Sequence, residues 1–281
     1  MSTPGAETTA ASYLLGHSGQ ELLRLEVQAR LLEPITRRFL LDARILPGMR
    51  VLDVGCGLGD VTFLCAELVG SAGQVVGVDR AAAAIAAARQ RARSKSVANV
   101  TFLEGDATDM HLEPSFDAVV GRYVLMYQLD PVAALRALAR NLRTGGVIVF
   151  HELDWGGARS VPPAPTFDRC CRWVAEALQR GGAEAYMGTK LYASFVEAGL
   201  AAPTMRLEAV IGGPADASGS VRDLNATIFP TSLVPTLERF GIATAAEIDP
   251  ETLPERMQRE ISRNGSVIVG RSEVAAWSRI P

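Results

Sequence analysis

The residues best placed to do chemistry stand around one glycine-rich turn. The run 51–60 reads Val-Leu-Asp-Val-Gly-Cys-Gly-Leu-Gly-Asp, so an apolar stretch leads straight into Gly55, Gly57 and Gly59, with Asp53 before them and Asp60 after. Glycine lets the backbone turn sharply and lets a ligand come close. The spacing is G-x-G-x-G. A dinucleotide fingerprint needs its third glycine where Asp60 stands, at a helix N-terminus that holds a pyrophosphate. Two carboxylates at such a turn disfavour a diphosphate and suit a cationic or zwitterionic ligand.

Further candidates follow at regular intervals. Asp79 lies 20 residues beyond Gly59. A carboxylate there can accept from both hydroxyls of a ribose, or merely cap the helix that follows. In Glu104-Gly-Asp-Ala-Thr, Asp106 can accept from an exocyclic adenine amine while the Ala107 amide donates to a ring nitrogen; an Asx turn is the plainer alternative. In Gly121-Arg-Tyr, Gly121 permits close backbone approach to a ligand, and Arg122 can pair with a ligand carboxylate or with a surface acid. Cys56, between two of the glycines, and Arg80, after Asp79, join the set by position.

A second group, His151, Glu152 and Asp154, offers a base. His exchanges protons near neutral pH, and a hydroxyl acceptor must lose its proton on attack. The same three residues could simply end a strand. They also invite a metal, but this segment has too few ligands and His17 and His111 are remote, so no metal site is assigned. Tyr123, Met126, Tyr127, Trp155, Trp173, Tyr186, Met187 and Phe229 could line an apolar pocket, or belong to the core.

The elements that must position these residues are readable from periodicity. Apolar runs at Arg50–Val54, 74–78, 100–103, 116–120 and 147–150 predict five strands, separated by helices at 59–69, 81–93 and 131–142. That alternation argues for a parallel sheet covered on both faces. Ahead of it, Leu22, Leu25, Ala29 and Leu32 mark a helix over 19–33 that Pro34 should end or kink, followed by a second helix carrying Ile35, Phe39 and Leu40. After residue 155 the rhythm breaks. Loops are expected at 156–166 and 212–220, helices at 167–180, 189–198 and within 221–263, and strands at 204–211 and 273–279.

Five motifs in order across roughly 45–155 resemble a class I S-adenosylmethionine-dependent methyltransferase of the small-molecule type. Residues 51–60 match its glycine-rich first motif, 75–79 its ribose-binding strand end, Gly105-Asp106-Ala107 its adenine-contacting motif, 116–131 its fourth motif and 142–150 the turn into strand five. The resemblance implies an α/β, Rossmann-like sheet of seven mostly parallel strands, the last antiparallel, with 204–211 and 273–279 as strands six and seven. It implies S-adenosylmethionine as cofactor, with Gly55 and Gly57 facing the methionine part and Asp79 holding the ribose. It also implies an N-terminal helical lid over 1–44, with Tyr13, His17 and Gln28 as candidate closing residues; a helical cap with ordinary polar surface is the plainer alternative. The core would span 45–155, and 156–281 would carry the remaining strands and helical substrate caps (156–200 and 213–263).

Composition narrows the function further. The chain has 281 residues, 48% hydrophobic and 21% charged, with a net charge of −3. That balance supports a globular core and excludes wholesale disorder. No basic run suggests a nucleic acid partner, and no apolar run approaches the ~18 residues that cross a membrane. The four cysteines form no CxxC pair and read as small core residues. The expectation is a cytoplasmic enzyme that methylates a small organic molecule, with O- or C-methylation favoured because His151 and Glu152 offer a base, and N-methylation as the further option. A homodimer is left open. Two alternatives stand beside it: the same fold using its cofactor structurally for a cyclisation or isomerisation, and an NAD(P)-dependent oxidoreductase.

Overall fold

The computed structural model describes residues 19–110, 115–215 and 233–281, with residues 19–30 described as backbone only. Of the candidates above, Tyr13, His17, His111 and Phe229 lie outside the described residues, as does the side chain of Gln28.

The strands are β1 (Arg50–Val54), β2 (Gln74–Asp79), β3 (Val100–Glu104), β4 (Phe116–Arg122), β5 (Leu142–Asp154), β6 (Arg159–Val161), β7 (Thr204–Gly212) and β8 (Val267–Arg279). They form one sheet in the order β3-β2-β1-β4-β5-β8-β6, and β7 pairs with the other edge of β8. The pairings among β1 to β5 are parallel, and β8 runs antiparallel to β5, β6 and β7. The sheet therefore has eight strands where seven were expected. The extra one has a simple origin: β5 pairs with β8 up to Asp154↔Ser272, and β6 pairs with its first residues at Arg159↔Val269 to Val161↔Val267. β6 thus continues the line of β5 within the segment read as a loop.

Helices cover both faces because the crossovers between parallel strands place them there. On one face lie α1 (Gly19–Asp42), α2 (Asp60–Val69) and α3 (Ala82–Ser94). Leu40, Val61, Leu64 and Val69 pack there on Val51, Val147 and Val149, while Ile85 and Ala88 meet Phe63 and Phe102. Against the other face, α4 (Pro131–Ala139) and α6 (Met187–Glu197) bury Leu135, Leu138, Leu191 and Phe195. Beyond them are α5 (Pro165–Arg180), α7 (Val234–Arg239), α8 (Ala245–Ile248) and α9 (Leu253–Asn264).

The N-terminal expectation needs one correction. α1 is a single helix of 24 residues with Pro34 inside it. Proline removes one i→i−4 bond, but Pro34 lies on the exposed side, where water can serve the freed carbonyl. The next turns are held by burial of Ile35, Phe39 and Leu40. Ion pairs also fix the helix: Arg38 to Glu208 and Asp42 to Arg206, both reaching β7. No helix among the described residues is long and apolar enough to cross a membrane.

Candidate active site

The candidate residues gather at the carboxyl ends of β1 to β5, where open α/β sheets bind their ligands in a crevice. β1 delivers the turn, in which Gly55, Gly57 and Gly59 all have positive φ, at 62°, 52° and 86°. Such values favour glycine. A Cβ on Gly55 would meet Val124 at 2.9 Å, and one on Gly59 would meet Phe102 and Phe63 at 3.0 and 3.1 Å; nothing lies within 4 Å of that position on Gly57. The turn is thus packed tight at both ends and bare in its middle. Cys56 points away from the bare surface, into the cluster of Phe63, Ile85, Ala88 and Phe102, and its amide bonds Val78 O at 3.0 Å. All four cysteines are buried and unbridged.

Asp79, at the end of β2, grips this turn. Its Oδ2 accepts from the Gly57 amide and its Oδ1 from the Ala81 amide, both at 2.8 Å. The side chain therefore serves the turn and the start of α3 together. Each oxygen keeps a lone pair for a ligand hydroxyl.

The two flanking aspartates behave differently from expectation. Asp60 pairs with Arg91 at 2.7 Å, and the same guanidinium bonds Leu58 O at 2.5 Å, so its charge is neutralised while α3 clamps the turn. Asp53 is 1% exposed and takes the Thr62 hydroxyl at 2.6 Å. Burial pushes its carboxyl up to about 7, with Thr62 and Arg122 pulling it back. The acidic character facing the crevice therefore rests on Asp79. The corrected charge pattern comes from residues brought together by folding, which adjacency in sequence does not reveal.

Asp106, after β3, forms the Asx turn: Oδ1 accepts from the amide and hydroxyl of Thr108 at 2.9 and 2.7 Å. Its other oxygen pairs with Arg80. Burial raises the carboxyl, but Thr108 and Arg80 outweigh it and hold it below the usual range. Arg80 and Asp106 thus form one ion pair across the ends of β2 and β3. Ala107 is buried beside them.

At the end of β4 the reading of Gly121 changes. A Cβ there would lie 2.5 Å from the Phe150 ring, so the glycine makes room for core packing and not for a ligand. Gly121→Ala is expected to cost about 1–3 kcal/mol through overpacking, and chemical denaturation should show part of it restored by adding Phe150→Leu. An undiminished loss in the double variant would refute that cause. Arg122 Nη1 donates to Thr36 Oγ1 at 3.2 Å. Tyr123 has φ 59°, a strained setting for a bulky residue that tends to mark functional sites.

His151 and Glu152 point to opposite faces of β5, as neighbours on a strand must. Glu152 lies beneath the turn after β4. Its Oε1 accepts from the amides of Val124 and Leu125 at 2.9 and 2.8 Å, and its Oε2 from Met126 at 3.4 Å. Burial pushes its carboxyl up to about 8 against those amides. Glu152→Ala would strand the three donors. The expected loss is about 2–4 kcal/mol, from unsatisfied buried groups, and urea titration measures it.

His151 lies on the α1 face and is 2% exposed. Its Nε2 is 3.0 Å from Glu273 Oε2, its Nδ1 is 3.2 Å from Thr36 Oγ1, and Phe39 meets its ring edge-on at 4.9 Å. Burial lowers its pKa, and Glu273 opposes that. Glu273 also accepts from the Tyr123 hydroxyl at 2.6 Å, and Arg271 reaches both, with Nε 3.1 Å from Glu273 Oε1 and Nη2 3.1 Å from the Tyr123 hydroxyl. Asp154 instead ties β5 to α6 through the amide and hydroxyl of Thr189, at 3.0 and 2.7 Å.

Thr36, Arg91, Arg271 and Glu273 were not singled out in the sequence. Glu273 carried a signal: an acid inside an apolar strand, Glu-Val-Ala-Ala-Trp, is rarely buried without a partner.

The fold is Rossmann-like, and its motif residues gather at the carboxyl ends of the parallel strands. A family model described as a methyltransferase domain matches residues 45–196, more than half of the chain, and the chain belongs to that family. It is 40% identical over 118 residues to aklanonic acid methyltransferase DauC of Streptomyces sp. strain C5, which covers 42% of this chain and 54% of that protein. It is 45% identical over 101 residues to a 2-phytyl-1,4-naphtoquinone methyltransferase of Synechococcus elongatus, covering 35% and 43%. The matched stretches span about half the length of these curated relatives. The fold is similar to that of a geranyl diphosphate methyltransferase solved with S-adenosylmethionine, with TM-score 0.56 and 18% identity over 95% of this chain and 94% of that one. These findings bear out the resemblance carried by the five motifs.

Proposed function

We propose that this protein transfers a methyl group from S-adenosylmethionine to a small organic acceptor, at oxygen or carbon, in specialised metabolism. The cofactor supplies an electrophilic methyl on a sulfonium centre. The residues at the crevice suit it. Asp79 offers acceptor lone pairs for a vicinal diol, the bare surface at Gly57 admits close approach, and Arg122 stands where a carboxylate can pair with it. The Arg80–Asp106 pair and the Ala107 amide would take the adenine end, and Gly55, Cys56 and Gly57 would contribute backbone to the methionine end. The observation that carries the reading is the grip of Asp79 on Gly57, at the end of β2 beside the glycine turn.

The chain's own work is to orient the acceptor, exclude water and take a proton. His151 is assigned as base. Glu152, named with it from the sequence, would serve by shaping the turn after β4 from below. The acceptor would be chosen by the helices after β5, since 156–200 and 213–263 lie outside the cofactor-binding core of 45–155. The relatives named for aklanonic acid and for 2-phytyl-1,4-naphtoquinone make an oxygenated, quinone-like acceptor the first class to test. A cytoplasmic setting and a small molecule in place of nucleic acid complete the proposal.

The test is incubation with labelled S-adenosylmethionine and a panel of phenols and quinols, followed by mass spectrometry. A product heavier by one CH2 unit supports transfer. A converted substrate of unchanged mass would favour a cyclisation or isomerisation with the cofactor as bystander. Tight NAD(P) binding without S-adenosylmethionine binding would favour an oxidoreductase.

A further inference from the structure

Among the buried polar groups, the strongest unassigned constellation lies where β8 passes β5. Glu273 is 3% exposed and Thr36 is 2% exposed, and both touch the ring of His151. Glu273 Oε2 accepts from Tyr123 at 2.6 Å while lying 3.0 Å from His151 Nε2. Burial raises the Glu273 carboxyl, but Arg271, His151 and Tyr123 outweigh it and hold it below the usual carboxylate range. An ionised carboxylate is acceptor-only. The histidine nitrogen facing it must therefore carry the hydrogen.

We propose that Glu273 is the positioning residue of His151: it fixes the Nε2–H form, so that Nδ1, which meets Thr36 of α1, is the nitrogen that takes up a proton. This rests on the assignment of His151 as base. The step balances through the threonine hydroxyl. Thr36 passes its proton to Nδ1 and receives another on its oxygen from the acceptor side, and the neutral ring becomes an imidazolium whose charge Glu273 offsets. The geometry at Thr36 suits both states. In the neutral state its hydroxyl donates to Nδ1. In the charged state it accepts from Nδ1 and is free to donate to Leu32 O, 3.0 Å away. The charged groups facing the ring are Glu273 and Arg271 from β8 and Arg122 from β4, with Thr36 and Phe39 from α1 and the Tyr123 ring 5.6 Å away. The two arginines oppose the charged ring and the carboxylate favours it. Carboxylate partners commonly fix histidine tautomers in this way.

The chain has three histidines, so ring-¹⁵N labelling of the full protein, with His151→Gln to assign the signal, reads the tautomer directly. The expected result is a neutral Nε2–H ring in the wild type at pH 8. An Nδ1–H ring would overturn the proposal, whatever the protein's activity. Glu273→Gln should change the tautomer balance and move the acid limb of the kcat profile by about one pH unit or more. Unchanged tautomer and profile in that variant would also overturn it. Thr36→Val should lower kcat at least tenfold with KM nearly unchanged. Full turnover in Thr36→Val, alongside loss of turnover in His151→Gln, would remove Thr36 from the path. If His151→Gln retains full turnover while the wild-type tautomer is as expected, the base assignment fails and the positioning by Glu273 stands.

Discussion

Asp79→Ala should weaken S-adenosylmethionine binding about 10- to 100-fold in calorimetry. The side chain accepts from the amides of Gly57 and Ala81, and its remaining lone pairs face the crevice. Removing a charged acceptor of this kind costs ~1.5–3 kcal/mol. Asp79→Asn separates the two roles. One amide oxygen can still hold one backbone donor, whereas the charge and half of the acceptor capacity are gone, so its loss should fall between wild type and Asp79→Ala. An Asp79→Ala protein with undiminished affinity would refute the assignment of the ribose to β2. The folded state should survive the change, since the crevice side of Asp79 is partly open to solvent.

His151→Asn should reduce turnover on the true acceptor by about 100- to 10,000-fold, the range a positioned base contributes, while cofactor affinity moves by less than about threefold. The pH dependence has a definite sign. Burial lowers the pKa of His151, so the neutral, proton-accepting ring persists to more acidic pH than in a free imidazole, whose pKa is about 6.5. Activity should fall only below that point, and this limb should disappear in His151→Asn. Stability follows the same group. The unfolded chain binds the proton more readily than the folded one, so acid below about 6.5 destabilises the fold. Intact turnover in the variant would exclude His151 as the base.

The placement of much of this candidate site could be read from the sequence because it is local. The turn of β1, the aspartate ending β2, the Gly-Asp-Ala after β3 and the Arg-Tyr after β4 each sit at a strand end, and a strand running into a turn has a short-range signature. What stayed hidden depends on contacts distant along the chain. Arg91 reaches Asp60 across 31 residues, Glu273 reaches His151 across 122, and Thr36 reaches it across 115. Gly121 looked like a place for a ligand because periodicity cannot show that Phe150 leans over it. Pro34 looked like a helix break because its own backbone penalty is local, whereas the burial of Ile35 and Phe39 that overrides it is tertiary. His151 and Glu152 were grouped as neighbours in sequence, but strand alternation sends them to opposite layers.

β8 carries a consequence for how the molecule is made. It follows every other described strand in the chain, yet it lies between β5 and β7 in the sheet. As the polypeptide leaves the ribosome, β5 must wait with an unpaired flank until residues 267–279 have emerged. Exposed strand flanks invite self-association. A fragment cut to the family-matched 45–196 would keep the glycine turn but hold that flank open permanently, and should therefore aggregate during expression unless the missing strand is supplied in trans.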